Sequence, residues 1–313
     1  MSNAKIYEII TAKMIERIED AIKNKKEFKW VKPWKGYPLG NYLNYLKDGD
    51  NMREYRGINR ILLDGGLYLT MKQIDELAKK DNTQYKVKKG SHAETVYFYK
   101  QNIVDKKDED GNVMLDEDGN PLKTRYFLMR FYNVFNVDDV EGLEVNLGQT
   151  EKVSETELTK KADKLIKDFC KRTNLKFKVK KGSDKAYYMP ALHEVTVPDK
   201  TQFKDINEYY STVFHELTHS TSKDLNRELG GKFGSEKYSF EELIAELGSA
   251  FIMQSLGFET IKTEENSTAY LKGWLKQLKS DVSFIVKASN QAQKACDLFF
   301  NVQFEVNAED KAA

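Results

Sequence analysis

The chain is poor in the residues that build disulfide-stabilised folds and membrane spans. It contains only two cysteines, Cys170 and Cys296, and five prolines in 313 residues. No disulfide framework is available, which favours a reducing compartment. No stretch approaches the roughly 18 to 20 apolar residues that a membrane helix needs, and the first residues lack the apolar core of a secretory signal. These absences predict a cytoplasmic protein that does not enter a membrane.

The chain also lacks an excess of charge of either sign, with 50 Lys and Arg against 49 Asp and Glu. The distribution is less even, because residues 1–100 carry 20 basic and 13 acidic side chains, a difference of +7. A basic segment is a weak indication of nucleic-acid binding. An ordinary solvated surface explains it equally well on charge alone.

The first half begins with alternating helical and loop patterns. Residues 4–25 place an isoleucine or methionine at every fourth position, which predicts an amphipathic helix. Residues 28–46 contain prolines and many aromatic side chains, so they are predicted to form a loop. Residues 69–80 are predicted to form a second helix, with Thr70 as its N-cap.

Strand patterns follow in the first half. Alternating residues over 85–100 predict two strands around Gly90, and the apolar stretch 126–143 predicts another. Residues 105–120 contain the sequence DEDGN twice, and each Asp-Gly pair favours a tight turn. Their spacing lacks the further ligands and closing Glu of an EF-hand calcium loop. A protruding acidic hairpin is therefore the favoured interpretation, with calcium binding as the alternative.

A polar stretch at residues 144–158 marks the predicted boundary between two domains, at 1–145 and 152–305. The second half begins with a helix and short strands. A helix containing HELTH, a glycine-rich loop and further helices follow. Strands followed by helices are typical of an α+β fold. We therefore predict an α+β protein whose N-terminal domain mixes helices and strands.

The sequence HELTH at residues 215–219 is the strongest indication of chemistry. On a helix, His215 and His219 project to one side within about 40° of each other. Both imidazoles can then bind one Zn²⁺ at about 2.0–2.1 Å. Glu216 lies one position along, where its carboxylate can act as the general base of a metal-dependent hydrolase. The pattern predicts one zinc ion per chain, and other divalent metals are possible.

A third protein ligand is expected, since catalytic zinc sites commonly use three and leave a fourth position open. No histidine follows His219, so the helix FEELIAEL supplies the best candidates. Glu242 and Glu246 share one face; Glu242 is predicted as the ligand and Glu246 as an acceptor for a ligand N–H. These two roles could be exchanged. Glu241 points about 100° away and is the weakest candidate, and a charged helix start favoured by the dipole is the alternative explanation of the cluster.

Two other side chains near this site are candidates for contact with a substrate. His193 precedes the HELTH helix in a predicted strand and could face a bound peptide, although an ordinary strand histidine is the favoured alternative. Tyr238 lies just before the glutamate helix and could stabilise an oxyanion.

Both halves of the chain resemble the ArdC-type antirestriction proteins of plasmids and other mobile elements. The likeness covers residues 5–300 in the family's order. The motifs that carry it are WVKPW, YRGINRILL, LTMKQI, VKKGSHAETVYF, FYNVFNVDDVEGL, AYYMPALHEVTVP, YYSTVFHELTHST and FEELIAELGSAF. The resemblance implies an N-terminal domain that binds single-stranded DNA. It also implies a C-terminal zincin-like metallopeptidase domain, similar to the SprT/Spartan proteases that act on DNA-bound proteins.

Single-stranded DNA is held by stacking on aromatic side chains and by a basic groove along the phosphates. The N-terminal half offers aromatic, basic and amide side chains near turns and helix starts. The candidates are Trp30, Lys32, Trp34, Arg56, Asn59, Arg60, Lys72, Gln73, Lys88 and Lys89. Core packing is the alternative for the two tryptophans, and a solvated surface is the alternative for each lysine.

The resulting hypothesis is an antirestriction-type protein that binds single-stranded DNA and carries a zinc-dependent metallopeptidase site. Its expected partners are a DNA strand and a protein substrate bound to DNA. Two rivals stay open. The first is a non-enzymatic single-strand-binding shield with a structural metal, and the second is a peptidase with no role on DNA.

Overall fold

The structure is a computed structural model that describes residues 2–26, 28–31, 39–49, 54–144, 154–232, 234–258 and 268–302. The predicted boundary residues 145–153 lie outside the described residues, so the domain limits stay a prediction. The helices are α1 Asn3–Lys23, α2 Tyr42–Asp48, α3 Ile58–Leu62, α4 Met71–Lys80, α5 Glu155–Thr173, α6 Ile206–Ser220, α7 Glu236–Leu256, α8 Thr268–Ser280 and α9 Phe284–Phe300. The strands are β1 Gly40–Asn41, β2 Leu67–Leu69, β3 Lys86–Val87, β4 Glu94–Asp105, β5 Lys123–Asn136, β6 Val140–Glu141, β7 Lys176–Lys180, β8 Tyr187–Met189 and β9 Glu194–Pro198.

The two helices predicted in the first half are present. Helix α1 buries its predicted apolar face, and its N-cap is Ser2. Helix α4 begins after Thr70 with a capping box, in which Thr70 and Gln73 satisfy each other's backbone N–H groups. The prediction of a loop over residues 28–46 is wrong in part, because α2 begins at Tyr42 within it. Its N-cap, Asn41, accepts a hydrogen bond from a backbone N–H in the first turn.

The N-terminal sheet is built around a long hairpin. Its strand order is β1-β2-β5-β4, and β4 pairs with β5 in antiparallel register from Glu94 opposite Val134 to Asp105 opposite Lys123. The predicted acidic hairpin extends from the end of this pair. Its two DEDGN segments form tight turns, in which Asp108 and Asp116 each accept backbone N–H groups. Strands β3 and β6 form a separate two-stranded sheet.

The C-terminal half combines a small sheet with packed helices. Strand β9 lies between β7, to which it is parallel, and β8, to which it is antiparallel. All five residues of β9 are buried, and α6 packs near them and against α7. None of the described helices is long and apolar enough to cross a membrane.

One hydrophobic core runs through both halves of the chain. Helix α1 packs on α8 and α9, and the buried cluster joins its Ile10 and Met14 to Phe214 and Leu247 of the helices α6 and α7. Trp30 packs against Trp274 with ring centroids 5.3 Å apart. The N-terminal half therefore packs on α8 and α9 and shares one buried core with α6 and α7.

Candidate metal centre

The HELTH segment is helical because the sequence around it has one apolar face and an N-cap residue at its start. Asp205 caps the helix by accepting a backbone N–H from the first turn. Val213, Phe214 and Leu217 are buried in the core. The two histidines lie on the adjacent side of the helix, facing α7, and His215 is only 6% exposed.

Helix α7 approaches α6 closely because small side chains lie at the crossing. A Cβ atom on Gly248 would lie 2.5 Å from the Thr218 side chain, so only glycine fits this position. Ser249 donates a hydrogen bond to the Ser211 backbone carbonyl at 2.8 Å. This contact brings the glutamates in the first turns of α7 within reach of the histidines on α6.

Three side chains converge on one point between the two helices. The Nε2 atoms of His215 and His219 lie 3.1 Å apart. Carboxylate oxygens of Glu242 lie 3.5 Å from the first nitrogen and 3.8 Å from the second. Two ligands at about 2.0–2.1 Å from a tetrahedral ion lie about 3.3 Å apart. The three groups therefore fit a single divalent cation, and they form a metal-ligating cluster within the described residues.

A second set of glutamates lies beside the Nδ1 atoms of the two imidazoles. His215 Nδ1 lies 3.2 Å from Glu246 Oε1, and His219 Nδ1 lies 3.2 Å from Glu241 Oε1. A carboxylate beside Nδ1 holds the proton on that nitrogen and leaves the Nε2 lone pair for a metal. The structure places Glu246 beside His215 Nδ1 but without hydrogen-bond geometry, so its role as an acceptor stays a prediction. It also gives Glu241 a matching position, although its angle on the helix made it the weakest candidate.

Arg227 is a further residue beside this centre that no sequence motif indicated. Its guanidinium donates to both Glu241 carboxylate oxygens, at 2.9 and 3.1 Å. It also donates to the Thr218 carbonyl and the Thr221 hydroxyl, both at 2.9 Å. The arginine side chain is 7% exposed. It therefore fixes the loop after α6 and the carboxylate that orients His219.

Replacing Arg227 by Ala is expected to weaken metal binding about 10- to 100-fold, because partners that orient metal ligands typically contribute this much. Isothermal titration of the metal-free protein with Zn²⁺ or Mn²⁺ measures the change. Lys237→Ala is the control, since it breaks the exposed pair with Glu228 at 2.8 Å and should leave the affinity unchanged. Equal affinities for the Arg227 variant and the wild type would show that the arginine serves the fold alone.

The electrostatics of the centre favour a bound cation. Burial lowers the pKa of His215, but the nearby carboxylates of Glu242 and Glu246 more than offset it and raise that pKa well above its ordinary value. Burial raises the pKa of Glu242, but the two histidines outweigh it and hold that pKa below its ordinary value. The metal-free centre thus holds a proton that a metal must displace, so metal affinity weakens as the pH falls.

Glu216 and Tyr238 lie beside the cluster without joining it. Glu216 is partly exposed, and its carboxylate makes no hydrogen bond with any of the described residues. The Tyr238 hydroxyl lies 3.3 Å from the Tyr270 hydroxyl, and its interaction with Glu242 helps to lower the pKa of that carboxyl. Glu216 thus adjoins His215 in the chain, and Tyr238 interacts with the ligand Glu242.

His193 does not face this space, and the prediction of a substrate contact is wrong for it. Its side chain is buried, with Nδ1 2.9 Å from the Tyr188 hydroxyl and Nε2 3.1 Å from the Thr173 carbonyl. It ends a 3₁₀ turn with φ +46° immediately before β9. Both ring nitrogens are therefore used in holding α5 and the sheet together.

Some of the residues predicted to contact DNA are buried in the structure, and others are accessible. Trp30 is 2% exposed and packs edge-on between Phe28 and Trp274. Asn59 is 3% exposed, and its amide group bonds with the backbone N–H and carbonyl of Tyr97. Neither side chain can meet a strand in this conformation, so the predicted contacts are wrong for both.

Arg60 is likewise buried and bound within the protein. It donates to the Gln254 side chain, the Phe251 carbonyl and the Ser255 hydroxyl at 2.8 to 2.9 Å. Its guanidinium also lies 4.7 Å from the Phe251 ring centroid. Arg60 therefore binds residues near the C-terminal end of α7 and does not make the predicted phosphate contact.

The other predicted contacts are more accessible. Arg56 is half-buried and ion-paired with Asp297. Lys72 is 84% exposed, with Glu76 at 3.7 Å, and Gln73 forms the capping box of α4. Lys88 and Lys89 are exposed before the turn at Gly90, whereas Lys32 and Trp34 lie outside the described residues.

Two histidines four apart on one helix and a glutamate on the next helix define a zincin-like domain. The family description "zincin-like metallopeptidase" matches residues 164–291, and "N-terminal domain of anti-restriction factor ArdC" matches residues 4–135. The crystal structure of the metal-free antirestriction protein ArdC from plasmid R388 is 30% identical, with a TM-score of 0.65 over 95% of this chain and 99% of that one. The chain belongs to the ArdC antirestriction family.

Other relatives match most of this chain, and two of them are much longer proteins. The Mn(II)-bound structure of the R388 protein is 28% identical with a TM-score of 0.62, over 96% of this chain and 99% of that one. The uncharacterised protein y4eC of Sinorhizobium fredii is 28% identical over 93% of this chain and 90% of its own length. Two proteins named DNA primase TraC from Escherichia coli are 28% and 29% identical over 93% and 88% of this chain. The chain spans only 19% and 25% of those two primases.

Proposed function

We propose that the protein is a metal-dependent peptidase that acts at single-stranded DNA on behalf of a mobile element. The observation that carries the proposal is the convergence of His215, His219 and Glu242 within ligand distances of one point. The zincin-like fold implies a divalent metal at that point. When bound there, the metal supplies Lewis acidity to the scissile carbonyl and to the attacking water.

The side chains around the centre then have distinct roles. Glu216 takes a proton from the attacking water at its carboxylate and delivers it to the leaving amine. Glu246 and Glu241 keep the protons of the imidazoles on Nδ1. The Tyr238 hydroxyl donates a hydrogen bond to the oxyanion that develops on the substrate carbonyl.

Zinc is the proposed metal, because two imidazoles and a carboxylate are a common set for catalytic zinc. The same ligands accept Mn²⁺, which is bound in one structure of the R388 protein. Competition between the two metals for the metal-free protein would rank them.

The role on DNA is supported by the family of the N-terminal domain and by the presence of a similar segment within two proteins named DNA primase. Binding of a strand by that domain raises the concentration of strand-bound proteins near the centre on α6. A protein substrate already bound to DNA is therefore the proposed target.

Removal and return of the metal tests the catalytic half of the proposal. We expect the zinc-loaded protein to cleave an unfolded protein such as reduced casein, chelation to abolish the cleavage, and stoichiometric zinc to restore it. Circular dichroism of the chelated protein is the control, since it checks that the fold survives metal removal. Cleavage that persists at full rate after metal removal would exclude this centre as its source.

A further inference from the structure

A large cleft separates the β4–β5 hairpin from helix α9. Its volume is about 1850 Å³, above the roughly 300–1000 Å³ of pockets that hold small molecules. One wall is formed by the hairpin, the other by α9, and the start of α4 borders it. The size and the open shape suit a segment of an extended ligand. The cleft is separate from the metal centre and shares none of its ligands.

Aromatic side chains form a row along the hairpin wall. Phe98 and Tyr132 are 41% and 45% exposed and lie on the same face of the sheet, as diagonal neighbours across the pair β4–β5. Their ring centroids are 5.9 Å apart, and Tyr55 lies 6.0 Å from Phe98 on its other side. These contacts hold the rings in place before a ligand arrives, so stacking on them requires little further ordering.

Several amide side chains also line the cleft. An Asn or Gln side chain offers both a donor and an acceptor, which is the combination that reads the edges of unpaired bases. The amides that line the cleft include Asn44, Gln73, Asn133, Asn290 and Gln291. Exposed aromatic rings and several amides in one cleft can stack on nucleobases and hydrogen-bond to their edges.

Charge at the cleft favours a polyanion weakly. The lining contains four basic side chains, Arg56, Lys72, Lys287 and Lys294, and three acidic ones, Glu54, Glu76 and Asp297. The charge of Arg56 is offset by its ion pair with Asp297. The three lysines are exposed and can meet phosphates at the rim. A strand is therefore held mainly through its bases, with its backbone toward solvent.

We infer that this cleft binds unpaired bases of single-stranded DNA, which stack on Phe98 and Tyr132. The inference rests on the proposed function, since it names the surface that performs the DNA binding. It replaces the predicted contacts at Trp30 and Trp34, because Trp30 is buried and Trp34 lies outside the described residues. It retains Arg56, Lys72 and Gln73, which line the cleft.

A pair of double variants tests the location. We expect Phe98→Ala with Tyr132→Ala to weaken binding of a labelled strand of about 20 nucleotides by at least about tenfold, measured by fluorescence anisotropy. The matched control is Tyr126→Ala with Phe131→Ala. It removes one tyrosine and one phenylalanine of the same hairpin that are 49% and 41% exposed and do not line the cleft. The control should bind like the wild type.

Three measurements on the wild type test the same location without substitutions. Three lysines at the rim predict a log–log dependence of affinity on salt no steeper than about −2, since each neutralised phosphate of a single strand contributes about −0.7. A strand of abasic sites of equal length should bind at least about tenfold more weakly. Ultraviolet crosslinking to a 5-iodouracil strand should label the peptides that contain Phe98 or Tyr132.

The outcomes separate this inference from the function on which it rests. If the wild type binds no strand at low salt, the DNA-binding function fails, and the cleft assignment fails with it. If the wild type binds the strand and both double variants bind it with the wild-type affinity, the DNA-binding function stands and the cleft is the wrong surface. Full affinity for the abasic strand, or crosslinks confined to Lys88 and Lys89, would also overturn the cleft.

Discussion

Replacing Glu216 by Gln is expected to lower the rate of peptide hydrolysis about 10²- to 10⁴-fold, the contribution typical of a general base. The substitution keeps the shape of the side chain but removes its ability to accept a proton. Glu216 is not one of the three converging ligands, and its carboxylate makes no hydrogen bond with the described residues. Metal affinity and thermal stability should therefore stay at the wild-type values.

The rate loss is measured by single-turnover cleavage with metal-saturated protein. Glu208→Gln is the control, because Glu208 lies on the same helix two turns before the centre and caps a backbone N–H at 3.3 Å. It should retain the wild-type rate. A Glu216 variant that still protects transferred DNA fully in a conjugation assay would favour the rival function, a binding shield with a structural metal.

Replacing Glu242 by Gln is expected to weaken metal binding more than about 100-fold, beyond the range that an orienting partner contributes. Glu242 alone among the α7 glutamates has its carboxylate within 4 Å of both Nε2 atoms. Glu241→Gln and Glu246→Gln should each reduce the affinity only about 10- to 100-fold. These two matched variants on the same helix provide the comparison.

Calorimetric titration of the metal-free variants with Zn²⁺ gives the order of affinities. The stabilisation of the fold by saturating metal is a second readout, since a ligand that binds only the native state raises its melting temperature. The increase should be largest for the wild type and smallest for Glu242→Gln. If Glu246→Gln proves the most damaging of the three, the two glutamates have the exchanged roles that the sequence left open.

Helical periodicity accounts for what the sequence predicted of the centre. Residues four apart lie on one face, so the pairing of His215 with His219 and of Glu242 with Glu246 follows from their spacing alone. The role of Glu241 does not, because it depends on the angle at which α7 crosses α6. That angle is set by the contact of Gly248 with Thr218, and a glycine inside an apolar helix was its only signal.

The role of Arg227 could not be predicted from the sequence, for a different reason. It lies in the segment after α6, which has no periodic pattern, and its partner Glu241 is 14 residues away. An arginine next to a glutamate in LNREL indicates an exposed charge as readily as a buried clamp. Only the fold shows that its guanidinium is enclosed and bonded to both carboxylate oxygens.

The predicted DNA contacts show that residue type alone does not predict whether a side chain is exposed. Trp30 and Arg60 look like a stacking ring and a phosphate ligand, yet each is buried by a residue from the other half of the chain. Trp274 covers the tryptophan, and Gln254 binds the guanidinium. No local pattern encodes partners so distant along the chain. Alternation in β4 and the apolar stretch of β5 did predict strands, but which of their aromatics stay exposed depends on the elements from other parts of the chain that pack on them.

The most direct test of a DNA-delivered peptidase is the cleavage rate of a substrate protein that is bound to the same strand. We expect the zinc-loaded protein to cleave a strand-bound protein faster than the same protein without DNA, because binding to one strand raises their local concentration. The Phe98 and Tyr132 double variant should lose that acceleration but keep the DNA-independent rate, and the Glu216→Gln variant should lose both. Equal cleavage with and without the strand, or undiminished cleavage by Glu216→Gln, would contradict the account.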